Sequence, residues 1–278
     1  MGGREHSARR EEDSQESAGG NTNIFAGRQA GWGAISVIAA SIVGGILIWS
    51  QVSPEVRRNP EYVLGPDQIA VTGVPSWVQA DLKQESLRNA SLDIPLQLDD
   101  PELTRRLARA FNMHPWVKRV VRVKVTHPAG AQVEVQCREP VAMVTVSGGL
   151  FAIDNEGVVL PSRDFTPEEA ARYPRITGIV TSPLGPEGQM WGDPAVQEAA
   201  AVAVALGPEW SDLNLTECQV VSEGGRRAWV LKNEEGSTIR FGSAPGQELS
   251  GEPHAAAKIA RLRSVDEIND GFDLSREP

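Results

Sequence analysis

The residues best suited to chemistry in this chain stand apart from one another. His6, His114, His127 and His254 lie in a polar tail, beside prolines or in a loop. None has a second ligand-type residue three or four positions away, the spacing that sets two metal ligands on one helix face. Paired carboxylates would serve general acid–base work. Here Asp99-Asp100 precedes a helix start, Glu168-Glu169 completes the capping box Thr166-Pro167-Glu168-Glu169, and Asp164 stands in a loop. The sequence contains no phosphate-cradling GxxxxGK[ST], no G-x-S-x-G nucleophile elbow and no dinucleotide fingerprint, and Gly148-Gly149 reads as a turn between strands. The expectation is a chain with no catalytic residue, metal site, cofactor or small-molecule substrate.

Composition narrows the class further. The 278 residues are 40% apolar and 23% charged, an ordinary globular balance with room for one large or two medium domains. A net charge of −10 and a pI near 5.0 argue against a nucleic-acid partner, whose affinity depends on clustered Lys and Arg. Cys137 and Cys218 could pair in an oxidising compartment. Cys137 falls on the apolar side of a strand, however, where a thiol acts as a small hydrophobe, and this favours two thiols over a bridge.

The elements that must position everything else are clearest at 114–142. Val117, Val121, Val123 and Val125 alternate with Lys118, Arg122, Lys124 and Thr126, and Val133, Val135 and Cys137 alternate with Gln132, Glu134, Gln136 and Arg138, the period of two of half-buried strands. If His127–Ala131 closes a hairpin, Val125 faces Val133, Val123 faces Val135, Val121 faces Cys137, and Lys124 meets Glu134 on the wet side. Upstream, Gln68–Gly73 reads as a strand and Pro75–Asn89 carries loose helical spacing. Asp100-Pro101 opens a second helix, with Leu103, Leu107, Ala110 and Phe111 as its stripe. The order is strand, helix, helix, strand, strand.

Past Arg138 come short apolar runs punctuated by glycine, the pattern of an antiparallel β domain. Helices at the Thr166 capping box and at Asp193-Pro194 through Ala205 interrupt it, and Lys258–Leu262 precedes a terminal strand at Gly271–Leu274. The fold class is therefore α+β. At the other end, residues 1–30 lack periodicity and read as a disordered tail. No charge occurs between Arg28 and Glu55, and residues 31–50 are long enough to cross roughly 30 Å of hydrocarbon, with Trp32 and Trp49 as interfacial anchors. Three prolines make 51–66 a stiff linker.

This layout resembles the bacterial cell-division family FtsQ, called DivIB in Gram-positive bacteria. Ile69-Ala70-Val71-Thr72-Gly73 is similar to the family's "I-x-V-x-G", His114-Pro115-Trp116-Val117 to "P-W-V", and Arg138-Glu139-Pro140-Val141-Ala142 to "E-R-x-P-V-A". Further on, Phe151–Val159 is similar to "L-V-D-x-x-G-x-V", Tyr173–Gly178 to "L-P-x-I-x-G", Ile239–Gly242 to "V-x-L-G", and Phe272-Asp273-Leu274 to "I-D-L-R". The resemblance covers residues 69–274. It departs at Ser275, where the family has arginine, and at Pro278, beyond which family members commonly add a strand.

The resemblance implies a polypeptide-transport-associated (POTRA) domain at 67–138 and an FtsQ-type β domain at 139–278. It also implies a cytoplasmic N terminus, a single span in the cell inner membrane and periplasmic C-terminal domains at the division site. The implied function is a non-enzymatic divisome scaffold that binds the small bitopic proteins FtsB and FtsL and coordinates septal peptidoglycan synthesis. Strand addition is the expected mode, and Phe241, Phe272, Asp273 and Leu274 are the expected contact residues. Two rivals are a POTRA module of an outer-membrane transport system, which calls for a long C-terminal run of membrane strands, and an exported cell-wall enzyme, which calls for a nucleophile–base pair or metal set.

Overall fold

The computed structural model describes residues 37–51, 60–264 and 270–276. Helix α1, residues 37–51, belongs to a unit ending at Arg58, and Asn59 begins a second unit. Val37, Ile38, Ile46, Ile48 and Trp49 of α1 are all exposed. Among the described residues no helix is long and apolar enough to cross a membrane. The remainder of the expected span, residues 31–36 with Trp32, lies outside those described, as does the polar tail.

The second unit is structured from Pro60, within the stretch expected as linker. A 3₁₀ turn at Pro60–Tyr62 leads into β1 (Val63–Leu64), where Leu64 is fully buried. β2 (Ile69–Thr72), α2 (Leu82–Asn89), β3 (Leu96–Gln97), α3 (Leu103–Asn112), β4 (Val117–Thr126) and β5 (Gly130–Cys137) follow. β1 pairs with β3, and a three-stranded sheet runs β2-β5-β4, with β2 parallel to β5. Asp81 caps α2 by accepting from the Gln84 amide at 2.9 Å. Asp100 acts one turn ahead of α3, accepting from the Glu102 amide at 2.9 Å and from Arg106 Nη1 at 2.8 Å. Leu103, Leu107, Ala110 and Phe111 of α3 are buried, the expected stripe.

The hairpin register differs from the expected one by two residues. Thr126 pairs with Gly130, so the turn is His127-Pro128-Ala129, with a cis His127–Pro128 peptide. Val125 then faces Ala131, Val123 faces Val133, Lys124 faces Gln132 and Arg122 faces Glu134. A shift of two preserves the pleat, which is why Val133 and Val135 are still buried. Bulges at 117/119 and 120/122 restore pairing toward the strand's start, and the extra residue Val121 turns out to solvent rather than toward Cys137.

The larger sheet is built from β6 (Pro140–Val146), β7 (Gly149–Asp154) and β8 (Val159–Leu160), then β9 (Arg175–Thr177) after α4 (Pro167–Ala170). The helices α5 (Pro194–Leu206) and α6 (Glu209–Asp212) lead to β10 (Leu215–Glu223), β11 (Arg226–Asn233) and β12 (Thr238–Gly242). Helix α7 (Ala255–Arg263) leads to β13 (Phe272–Asp273), and the strand order is β13-β12-β11-β10-β9-β6-β7-β8. The sheet is mainly antiparallel, as expected, and its parallel pairs are confined to β9 and β13. β9 runs parallel to both β6 and β10, and β13 runs parallel to β12. Parallel neighbours need long crossovers, and the helical excursions through α5 and α7 supply two of them.

Helix α5 shows why this sheet is covered. Its alanines and valines are buried on nearly every side, packing with Trp191, Trp210, Trp229 and Phe241 on one face of the sheet. Asp193 caps it through the Ala195 amide at 2.9 Å, and Gly207 ends it at φ 47°. The opposite face of β6–β8 presents Met143, Ala152 and Leu160 to a second core that also holds Phe111, Trp116 and Val133. The two sheets are thus joined by buried apolar surface, each such side chain contributing about 1.5–3 kcal/mol.

Polar contacts fix the same junction. Trp116, wholly buried, donates its indole N–H to Asp164 Oδ2 at 2.6 Å. Arg138 Nη1 lies 2.5 Å from Asp154 Oδ2 and 3.2 Å from Glu156 Oε2, and Lys118 reaches Glu156 at 3.0 Å. Those cations hold the Glu156 carboxyl below its usual range, the Lys118 hydrogen bond contributing most. Asp154 Oδ1 also accepts from the amides of Glu156 and Val158, both at 2.9 Å, and so shapes the turn that Gly157 closes at φ 76°.

Candidate partner-binding edge

The C-terminal strand β13 is the outer edge of the eight-stranded sheet, and its placement follows from β12. Ile239 and Phe241 point into the core while Arg240, between them, faces the other way. Gly242 follows at φ 85°, where a Cβ would collide with the Glu252 carboxylate and come within 2.6 Å of Ser275 Cβ. Only glycine fits that position.

Glu252 organises the loop between β12 and α7. It accepts from the Ser243 amide at 2.7 Å, the Leu249 amide at 3.0 Å and Lys258 Nζ at 2.7 Å. Lys258 has no exposed side-chain surface. It also donates to the Ser243 carbonyl at 3.1 Å and sits 4.7 Å above the Phe241 ring. Burial by itself raises the Glu252 pKa, but the Leu249 amide, the Lys258 ammonium and the Ser243 contacts outweigh it and hold the carboxyl at about 2. This ion pair anchors the base of α7.

β13 pairs in register with β12, Phe272 beside Ile239 and Asp273 beside Arg240. Gly271 and Leu274 donate amides to Thr238 and Arg240 carbonyls at 2.9 and 2.8 Å. Asp273 Oδ1 accepts from the Ser275 amide at 2.8 Å and from Ser275 Oγ at 2.5 Å, and Arg240 Nε reaches the same Oγ at 3.2 Å. Ser275 therefore closes the strand with a local cap. From α7, Arg261 donates to the Arg276 carbonyl at 2.5 Å, reaches the Asp273 carbonyl at 3.5 Å and lies 5.7 Å from the Phe272 ring centre. Beside the edge a cavity of about 260 Å³ is lined by Arg226, Arg227, Arg240 and Arg276 with Glu223 and Glu252.

The four expected contact residues divide in two. Phe241 and Leu274 are wholly buried core residues, whereas Phe272 and Asp273 are half-buried on the edge strand. Of the expected anchors, Trp49 is exposed on α1 and Trp32 lies outside the described residues. Sequence reasoning passed over Arg261 and Arg240. Arg261 stands one helical turn beyond Lys258, a spacing that places both on one side of α7.

The histidines have structural settings. His114 is buried, with Nε2 3.3 Å from Glu85 and Nδ1 accepting from the Trp116 amide at 3.3 Å. Burial lowers its pKa, and Glu85 opposes that shift. His127 and His254 sit at the surface near Glu61 and Glu248, and His6 lies outside the described residues. Among the described residues no group of three His, Cys, Asp or Glu side chains converges to hold a metal. Cys137 and Cys218 are free thiols, and burial pushes both pKa values up, that of Cys137 to about 11.

Residues 142–274 match the sequence model of a family described as "Cell division protein FtsQ/DivIB, C-terminal". None of the curated proteins matches the chain.

Proposed function

Because the chain belongs to the FtsQ/DivIB family of cell-division proteins, we propose that it is a single-pass scaffold of the divisome that captures FtsB- and FtsL-type partners at the β13 edge. The family is non-enzymatic and acts through protein–protein contacts in division, and the chain's role is in cell division. In this reading residues 31–50 span the inner membrane with Trp32 and Trp49 at its two surfaces. Residues 67–138 are a POTRA domain, residues 139–278 are the FtsQ-type β domain, and both lie in the periplasm at the division site.

The observation that carries the reading is the edge itself. β13 is only two residues long and is the outermost strand of the sheet. A partner segment adding to it would gain backbone hydrogen bonds, with alternate side chains setting specificity. Phe272 and Asp273 are the contact residues, while Phe241 and Leu274 support them from the core.

Deleting residues 240–274 would remove core side chains as well as the edge, so point variants make the sharper test. Phe272→Glu and Asp273→Pro are expected to abolish pull-down of the FtsB- and FtsL-type periplasmic segments while thermal unfolding stays close to the wild type. Undiminished capture by both folded variants would sink the proposal. Incubation with peptidoglycan is expected to give no turnover, and hydrolysis abolished by a point substitution would favour the enzyme reading instead. A fluorescent fusion is expected at mid-cell rather than evenly around the membrane.

A further inference from the structure

The three-stranded sheet has one covered face and one open face. Against the covered face pack α2 and α3, with Val133, Val135 and Phe111 buried between. On the open face the β4–β5 register aligns Arg119 with Gln136, Arg122 with Glu134 and Lys124 with Gln132, and β2 adds Ala70 and Thr72 beside Gln132 and Glu134. Arg119, Arg122, Lys124, Gln132, Gln136, Ala70 and Thr72 are all exposed. Three cations therefore face one carboxylate, in a chain whose net charge is −10. Glu134 engages Arg122 at only 3.8 Å, and Arg119 bonds the neutral Gln136 at 2.6 Å, so the row keeps its positive charge.

The chain's path says what this face meets. The second unit begins at the turn end of the hairpin, where the Tyr62 ring lies 4.9 Å from that of His127 and the Ala129 amide donates to the Glu61 carbonyl at 2.9 Å. Lys124 and Arg122 are the first charged open-face residues of β4 below that turn. Only residues 52–59 separate this point from the end of α1, a reach of about 30 Å even when fully extended. We propose that the open face of the three-stranded sheet, through Arg119, Arg122 and Lys124, rests against anionic phospholipid headgroups of the bilayer that holds the chain. This rests on the reading of residues 31–50 as a membrane span. A basic row within a short tether's reach of the bilayer is drawn to anionic lipid, while the remainder of an acidic chain is repelled by it, so the contact orients the unit as well as holding it. An acidic protein partner would satisfy the same charges, but nothing in the path of the chain would bring it to this end of the sheet.

The test uses the full chain reconstituted in phosphatidylcholine vesicles, with or without phosphatidylglycerol, and a membrane-impermeant amine reagent read by mass spectrometry. Labelling of Lys124 is expected to slow about threefold or more when phosphatidylglycerol is present and to recover in high salt, while Lys83 on α2 labels equally in both. Arg119→Glu/Arg122→Glu should abolish the slowing and the milder Arg122→Gln should lessen it, with the Lys83 rate reporting that the fold is intact. Equal Lys124 labelling in the two lipids, or slowing that survives charge reversal, would overturn the proposal. So would slow labelling in both lipids, which would mean that something other than anionic lipid covers the face. If the chain fails to float with either kind of vesicle, it is the membrane-span reading that falls.

Discussion

The junction between the two sheets and the β13 edge are both built from motif residues, yet they treat their polar groups in opposite ways. At the junction Trp116, Asp154 and Arg138 are withdrawn from water and tied to one another's surroundings by short bonds. At the edge Phe272 and Asp273 stay half-exposed, and the tightly bonded pair Lys258–Glu252 lies one layer behind them. The difference separates residues that fix geometry from residues able to meet a partner. Replacing the first kind should cost stability, and replacing the second kind should cost binding with little loss of stability.

The largest effect belongs to the junction. Asp154→Ala leaves Arg138, only 13% exposed, without its closest partner and frees the amides that shape the Gly157 turn. Breaking such a buried pair costs about 3–5 kcal/mol, to be read as a drop in the urea midpoint with no change in slope. Arg138→Ala should cost a similar amount. Wild-type stability in either variant would mean that the junction is held by apolar packing alone.

Lys258→Met is expected to come next. It strands a Glu252 carboxylate that is 5% exposed, at a cost of the same order minus what its remaining amide bonds retain. The pH dependence has a definite sign. Because the folded state depresses the Glu252 pKa from 4.5 to about 2, its stabilisation is complete above about pH 4.5 and is lost as pH falls through that window. Lys258→Met should flatten that acid slope, and Glu252→Gln should remove it. An unchanged slope in both would show that other carboxylates govern acid unfolding. Since the pair sits behind the edge, weakened partner capture should accompany the lost stability, unlike the selective loss expected for Phe272→Glu.

Much of this was legible in the residues because period and capping chemistry are local. The expected strand, two helices and two strands follow in that order, joined by the short unforeseen pair β1–β3. The Thr166–Glu169 capping box and the Asp193-Pro194 start of α5 are present, with Thr166 Oγ1 accepting the Glu169 amide at 3.2 Å. What escaped depends on long-range pairing. β10 hides its alternation behind a bulge between Leu215 and Glu217, and the parallel placement of β9 depends on which strands it joins rather than on its three residues. Asp164 reads as an isolated loop carboxylate until the fold brings it to the indole of Trp116, forty-eight positions away. At the edge, Phe241, Phe272 and Leu274 carry the same apolar signal in sequence, and only burial tells the two that fill the core from the one on the rim.

A smaller loss tests the junction's hydrogen bond apart from its bulk. Trp116→Phe keeps an aromatic ring in the core but removes the donor to Asp164, which lies 13% exposed beside Arg163. The expected cost is about 1–3 kcal/mol, part from the unmet acceptor and part from the smaller ring. The double variant Trp116→Phe/Asp164→Asn should recover some of it, because an amide left without that bond is less costly there than a carboxylate. Strictly additive losses would mean that the two side chains do not act on each other.

The smallest expected effect decides the hairpin register. With Arg122 opposite Glu134, Arg122→Asp places two carboxylates across the ladder and should cost about 0.2–1 kcal/mol, whereas Lys124→Asp faces Gln132 and should be near neutral. The alternative in which Lys124 opposes Glu134 reverses the two outcomes. The apolar face is the same in both, so burial patterns alone cannot separate them, and only a cross-strand charge responds to a shift of two residues. Measured in detergent without anionic lipid, the pair also isolates the sheet's own energetics from the headgroup contact, in which both side chains are expected to take part. A larger loss for Lys124→Asp than for Arg122→Asp would move the turn back to five residues and return Val121 to the apolar face.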